Sequence, residues 1–299
     1  MEAVSSGKHI NEKIAFKKKS FWSSVWKRYR KSKLAVLGIV MIIIIITLAA
    51  TANLWLDYEG QAITHNISSR LQEPSKEHIF GTDEYGRDVF ARVIFGTRVS
   101  LLVGLLVTLC SLAIGIMFGA TAGFFGGRVD NLIMRFMDIL LSIPQILMAI
   151  SIMAALGNSV TNLVIALTIS TTPRFAYVIR SAVLGMNKRE FVEAARGYGS
   201  GNARIIIKHI IPNVVGPIII QATSSLARAI LLVSSLSFIG LGLPSAVPEW
   251  GAMISAAKPN MRHYPYLVVF PGLAILLSVL SMNLIGDGLR DALDPKLMN

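Results

Sequence analysis

Leu34-Ala35-Val36-Leu37-Gly38-Ile39-Val40-Met41-Ile42-Ile43-Ile44-Ile45-Ile46-Thr47-Leu48-Ala49-Ala50-Thr51-Ala52-Asn53-Leu54-Trp55-Leu56 is a run of 23 residues without a single charge, and it decides the class of the molecule. As a helix rising 1.5 Å per residue it extends about 34 Å, enough to cross the hydrocarbon core of a bilayer. An open sheet would leave backbone groups unpaired in lipid, so helix is the physical choice. The run is too long for the core of a secretion signal and no small-residue cleavage site follows, so it reads as an anchor.

Outward from that anchor, five more apolar spans are expected near Val99–Gly123, Leu132–Leu156, Val160–Val183, Val214–Leu241 and Tyr266–Leu284. Composition agrees: the 299 residues are 53% hydrophobic and 15% charged, with a mean hydropathy of +0.60. The expected fold is all-α, a polytopic membrane protein with about six transmembrane helices. Gly104, Gly115 and Gly119 suit close helix–helix approach, a packing role before a ligand role. Pro144 and Pro173 predict kinks in the third and fourth spans.

Basic residues orient the chain. The first 33 residues hold ten Lys and Arg, and alternating loops put 21 of the 29 on the side of both termini. The positive-inside rule makes that side cytoplasmic. The net charge of +12 then belongs to an anionic lipid surface, not to nucleic acid. Phe21, Trp22, Trp26 and Tyr29 interleave with Lys27, Arg28 and Arg30, as in an amphipathic interfacial helix.

Catalytic signatures are missing from the sequence. It has no G-x-x-x-x-G-K-[ST] phosphate loop, so ATP hydrolysis is not expected of this chain. Its histidines (His9, His65, His78, His209, His263) form no H-E-x-x-H pattern, and Cys110 stands alone. Gly197-Tyr198-Gly199-Ser200-Gly201 has its serine out of register for a hydrolase elbow. Arg228 is the clearest intramembrane charge, with Arg135 and Asp138 near a cytoplasmic end. Gln221, Ser224, Ser225 and Arg228 share one helix face, which either lines a water-filled path or binds helices together.

Met186 to Pro212 interrupts the apolar pattern with a polar helix-turn-helix. Asn187 is expected to cap its first helix, with Glu190 as reciprocal partner. Phe191, Ala194, Ala195 and Tyr198 form an apolar face. Arg189, Glu193 and Arg196 form a charged one, on which Glu193 can pair with either arginine. Gly199 is placed to end the helix in the left-handed conformation. Ser200 or Asn202 can start the next helix, which carries Ile205 to Ile207 and stops at Pro212.

Glu193-Ala194-Ala195, three residues, Gly199, nine residues, then His209-Ile210-Ile211-Pro212 resembles the EAA loop of binding-protein-dependent ABC importer permeases. His209 and Ile211 stand at the family's Ile and Leu positions, and a histidine there is also found in the peptide-transporting branch. Phe21 to Gly38, His78 to Asp88 and Asn283 to Pro295 resemble further segments of C-type subunits in that branch, which imports dipeptides, oligopeptides or nickel.

The resemblance implies a type I ABC importer transmembrane domain with no catalytic residues and no cofactor, ATP and Mg belonging to partner subunits. It divides the chain into a basic cytoplasmic N-terminus (1–33), a first transmembrane helix with external segment (34–98) and a core permease domain (99–299) with its coupling loop at 186–213. Expected partners are a homologous second permease, two ATPase subunits, an external solute-binding protein and the lipid bilayer of a bacterial or archaeal cytoplasmic membrane.

In that frame Glu193 positions the coupling helix, Ala194 and Ala195 give a close-contact surface, and Gly199 the turn. Gln221, Ser224, Ser225 and Arg228 are candidates for the translocation path. Small peptides are the expected cargo, with nickel or a metal chelate as alternative. A self-sufficient secondary carrier and an integral-membrane enzyme are the readings from other classes; the loop opposes the first and the missing nucleophile or metal constellation the second. Two external segments, Asp57 to Arg98 and Pro244 to Pro265, read equally as partner surfaces or as packing. In the first, Thr82 is expected to cap an acidic helix turn, with Gly81 and Gly86 in a compact turn. In the second, Trp250 is expected at the membrane interface.

Overall fold

The computed structural model describes residues 21–293; the lysines before residue 20 and the end of the C-terminal signature lie outside them. A short helix α1 (Phe21–Tyr29) leads into α2 (Lys33–Thr51), which a 3-10 turn prolongs to Leu54. Ser32 caps α2, its Oγ accepting from the Ala35 N–H at 3.3 Å. Most of α2 faces outward, as an apolar helix against lipid must. The other long helices are α3 (Val89–Phe125), α6 (Val160–Asn187), α9 (Val215–Ile239) and α11 (Tyr266–Leu293).

Between α3 and α6 lie α4 (Gly127–Ser142) and α5 (Gln145–Leu156), which meet at Pro144 with a bend of 86°. The expected kink of the third span is thus a complete break. Pro173, by contrast, sits inside an unbroken α6. Five helices are long and apolar enough to cross a membrane, or six if the bent pair is one span. The chain path decides for six. Phe124, near the end of α3, packs with Val183 near the end of α6, so α4 starts where α6 finishes. At the opposite end, Asn158 before α6 donates to the Gly240 carbonyl after α9 at 3.1 Å. The pair α4–α5 therefore bridges the two ends.

Packing centres on α3 and α6, the most extensive helix pair. Small residues set their distance: a Cβ on Gly119 would stand 2.5 Å from the Ala176 carbonyl oxygen, and one on Gly115 would collide with the Phe175 Cβ. The expected role of both glycines is borne out. Val103 and Val107 of α3, Met153 of α5, Leu163 and Leu167 of α6 and Val233 of α9 build one buried core. α1 packs on the last residues of α11 through Val25, Tyr29, Ala292 and Leu293. The two ends of the described chain thus lie together.

The segment before α3 departs from expectation. Asp88, not Thr82, caps α3: its Oδ1 accepts from the Ala91 N–H at 2.9 Å. Thr82 instead donates its hydroxyl to the Ser69 carbonyl, stitching the external segment to itself. Gly81 and Gly86 do form compact turns, at φ of +73° and +75°. Arg92 is buried and donates to the Ala62 carbonyl at 2.6 Å and the Ser245 carbonyl at 2.8 Å, tying this segment to the loop after α9.

That later loop holds a helix, α10 (Trp250–Ala257), folded into the protein. Trp250 is 0% exposed and packs with Ile230 and Ile275, so it is no interfacial anchor. Its indole N–H donates to the Val93 carbonyl at 3.0 Å, which satisfies the one polar atom that burial would strand.

Candidate functional site

The interrupting loop follows α6 directly. Its first helix is α7 (Glu190–Gly197), followed by one α turn, α8 (Asn202–Arg204), a π turn (Ile205–Ile210) and a 3-10 turn (Ile211–Asn213) that runs into α9. Pro212 therefore does not stop the second helix; it sits within the 3-10 turn. The carbonyl of His209 is taken up by the Asn213 amide side chain at 2.6 Å.

The capping expectation fails. Asn187 is the last residue of α6, and Arg189 occupies the N-cap of α7 without a side-chain bond. Asn187 serves tertiary structure instead. Its Nδ2 donates to the Phe124 carbonyl at 2.8 Å, and its Oδ1 accepts from Arg196 at 2.6 Å. One side chain thereby joins the ends of α3 and α6 to α7. The Arg196 guanidinium also lies over the Phe124 ring, 5.1 Å from its centre. Glu193 makes no ion pair among the described residues, with Arg189 or with Arg196, and Arg196 is engaged with Asn187 instead.

The expected apolar face of α7 divides in two. Val192 (0% exposed) and Ala195 (9%) point into a core with Phe124, Ile179, Val183, Ile205 and Ile210. Phe191, Ala194 and Tyr198 point outward beside Glu190 and Glu193, with Tyr198 91% exposed. Val192 was missing from the expected face. Its i, i+3 spacing to Ala195 is the signal for it, overshadowed by the larger Phe191 and Tyr198.

Gly199 behaves as expected, at φ +73°. Its N–H donates to the Arg196 carbonyl at 2.9 Å and that of Ser200 to the Ala195 carbonyl at 3.1 Å, the paired bonds of a Schellman turn. Gly201 takes the N-cap position before α8, where Ser200 or Asn202 was expected.

In α9, Gln221 and Arg228 both donate to the Ser225 Oγ, at 3.2 and 3.1 Å. Ser224 stays out of this group and lies toward Gly286 of α11. α6 runs on to Asn187, past the expected end at Val183, and Arg174 and Arg180 lie within it, although the orientation by basic residues counts both with the cytoplasmic loop. Arg180 forms a two-point ion pair with Asp130 of α4, at 2.5 and 2.6 Å. Tyr177 bonds Asp138 of the same helix. Among the described residues no group of His, Cys, Asp and Glu could hold a metal ion.

Residues 115–299 match the family described as binding-protein-dependent transport system inner membrane component, and residues 20–74 the N-terminal transmembrane domain of oligopeptide transport permease C. The chain belongs to this permease family. The dipeptide transport system permease protein DppC of Alkalihalophilus pseudofirmus is 46% identical over 276 residues, 92% of this chain and 90% of the relative. The oligopeptide transport system permease protein OppC of Bacillus subtilis is 38% identical over 286 residues, 96% and 93% of the two chains. The glutathione transport system permease protein GsiD of Escherichia coli O157:H7 is 39% identical over 276 residues, 92% and 91%. The permease is thus a multi-pass inner-membrane transport subunit.

Proposed function

We propose that the permease forms half of the translocation pathway of an ATP-driven importer for small peptides. A homologous permease forms the other half, two ATPase subunits hydrolyse ATP with Mg, and an external binding protein delivers cargo. The reading is supported above all by the two-sided α7. One side is locked to α3 and α6 through Asn187 and Val192, while the other presents Phe191, Ala194 and Tyr198 with two carboxylates. A helix with apolar residues held outward at the end of a membrane bundle is suited to a groove in a soluble partner.

ATP binding closes the ATPase pair, α7 moves with it, and the helices joined to α7 shift by the hinge and shear motions that alternate access. Glu193 orients α7 in the groove, Ala194 allows close approach, Ala195 seats the inner side of α7 on the membrane helices, and Gly199 sets the turn. Both termini lie in the cytoplasm on this reading. Gln221, Ser225 and Arg228 contribute to the path, and Ser224 belongs to the α9–α11 seam. Peptide cargo is supported by the dipeptide, oligopeptide and glutathione permeases among the relatives.

The test is purification of the tagged chain from its native membrane in mild detergent, with mass spectrometry of what accompanies it. A second permease, ATPases and a binding protein that holds a peptide are expected. A chain that purifies alone and moves solute across liposomes without ATP would make it a secondary carrier.

A further inference from the structure

Two arginines sit midway along helices that cross the membrane: Arg174 in α6 (Val160–Asn187) and Arg228 in α9 (Val215–Ile239). A cation at that depth is unfavourable without an anion or water, and the usual compensation is a carboxylate on a neighbouring helix. Neither has one. The ion pairs among the described residues are His78–Asp88, Arg87–Asp83, Arg92–Asp83 and Arg180–Asp130. Arg180, one turn and a half from Arg174, shows what a compensated arginine of α6 looks like.

The two sites belong together. α6 and α9 pack against each other: Leu163 and Leu167 share one core with Val233 and Leu236, and Ile179 and Val183 share another with Ile218, so Arg174 and Arg228 lie between the same two cores. Like charges in one low-dielectric region sharpen the need for a shared anion. Both guanidinium groups have donors to spare. Arg228 gives one bond, to Ser225, and Arg174 gives none within the described residues. Ser225 is buried and is fixed in turn by Gln221, so Arg228 is held in place. Arg174 projects from a stretch of α6 that is otherwise buried, between Pro173 and Phe175.

We infer that Arg174 and Arg228 together form a carboxylate-binding station halfway through the membrane, which the terminal carboxylate of a peptide occupies in passage. This rests on the peptide-importer reading above. A guanidinium fork matches a carboxylate in shape as well as charge, so the station selects anionic cargo rather than merely tolerating it. A partner permease that supplied a fixed carboxylate would instead make the pair a subunit contact.

The experiment uses the complete importer in liposomes, with trialanine as probe, and reads peptide moved per ATP hydrolysed. Arg174→Gln and Arg228→Gln are each expected to lower that ratio about tenfold or more, as removal of one side of a desolvated charge pair does. Arg174→Lys and Arg228→Lys should recover part of it, because charge survives without the fork. Glutamine variants that move trialanine as well as the wild type would overturn the station. So would glutamine variants that lose the second permease on purification, which would assign the arginines to the subunit contact. A wild-type complex that hydrolyses ATP with its binding protein but moves no peptide would remove the importer reading itself.

Discussion

Glu249 carries more structure than its place in a loop suggests. Its carboxylate is fully buried, accepts from the Gly251 and Ala252 N–H groups at 2.9 and 2.8 Å, and takes the Ser100 hydroxyl at 3.3 Å. It thus caps α10 and holds that helix to α3. Acidic groups suit a helix N-terminus, where the unpaired amides and the helix dipole favour negative charge. Glu249→Ala leaves these donors without a partner, and a loss of about 1–3 kcal/mol is expected. The midpoint of thermal unfolding in detergent measures it; an unchanged midpoint would show that water replaces the carboxylate. Sequence shows an acidic residue before a tryptophan. The burial depends on Ser100, far away in the chain, and could not be read locally.

At the scale of elements, α7 is set by a local turn and by distant carbonyls. Gly199 was legible because a left-handed helix end has few chemical solutions. Nothing lies within 4 Å of a Cβ built there, so a substitution strains the backbone without a clash. An L-residue in that conformation costs about 1–2 kcal/mol, and a β-branched one more. Gly199→Val is therefore expected to disorder the turn while the membrane helices stay intact. Glu193→Lys reverses the exposed charge without touching the core. Both are expected to leave the subunits assembled yet uncouple ATP hydrolysis from uptake; normal uptake in both would sink the coupling role of α7. Asn187 was misread for a physical reason. A cap needs only neighbours in sequence, but the carbonyls of Gly123 and Phe124, left over at the end of α3, outbid it. The break at Pro144 was visible as a kink. Its 86° angle depends on how α5 enters the core beside α6, which no local pattern encodes.

For the whole molecule, the six apolar spans were legible because length and hydropathy alone decide whether a helix suits a bilayer. The α3–α6 seam adds a sharper test. Gly119→Leu forces a side chain into the Ala176 backbone, where no rotamer relieves it. It is expected to abolish stable accumulation of the chain, scored as full-length protein in membranes; wild-type levels would mean the seam opens freely. α3 has a further consequence. Its 37 residues make it about 55 Å long, well beyond the thickness of the hydrocarbon core. One end is clasped by Asn187 beside α7, the other by the ties of Arg92 to Ala62 and Ser245. A beam of that length, tilted by about 10° at its base, swings its tip by roughly 10 Å, the width of a helix. If α7 couples to an ATPase as proposed, a push at that end is felt at the Arg92 end within the same stroke, with no relay between, and a jam there stalls the motor just as directly.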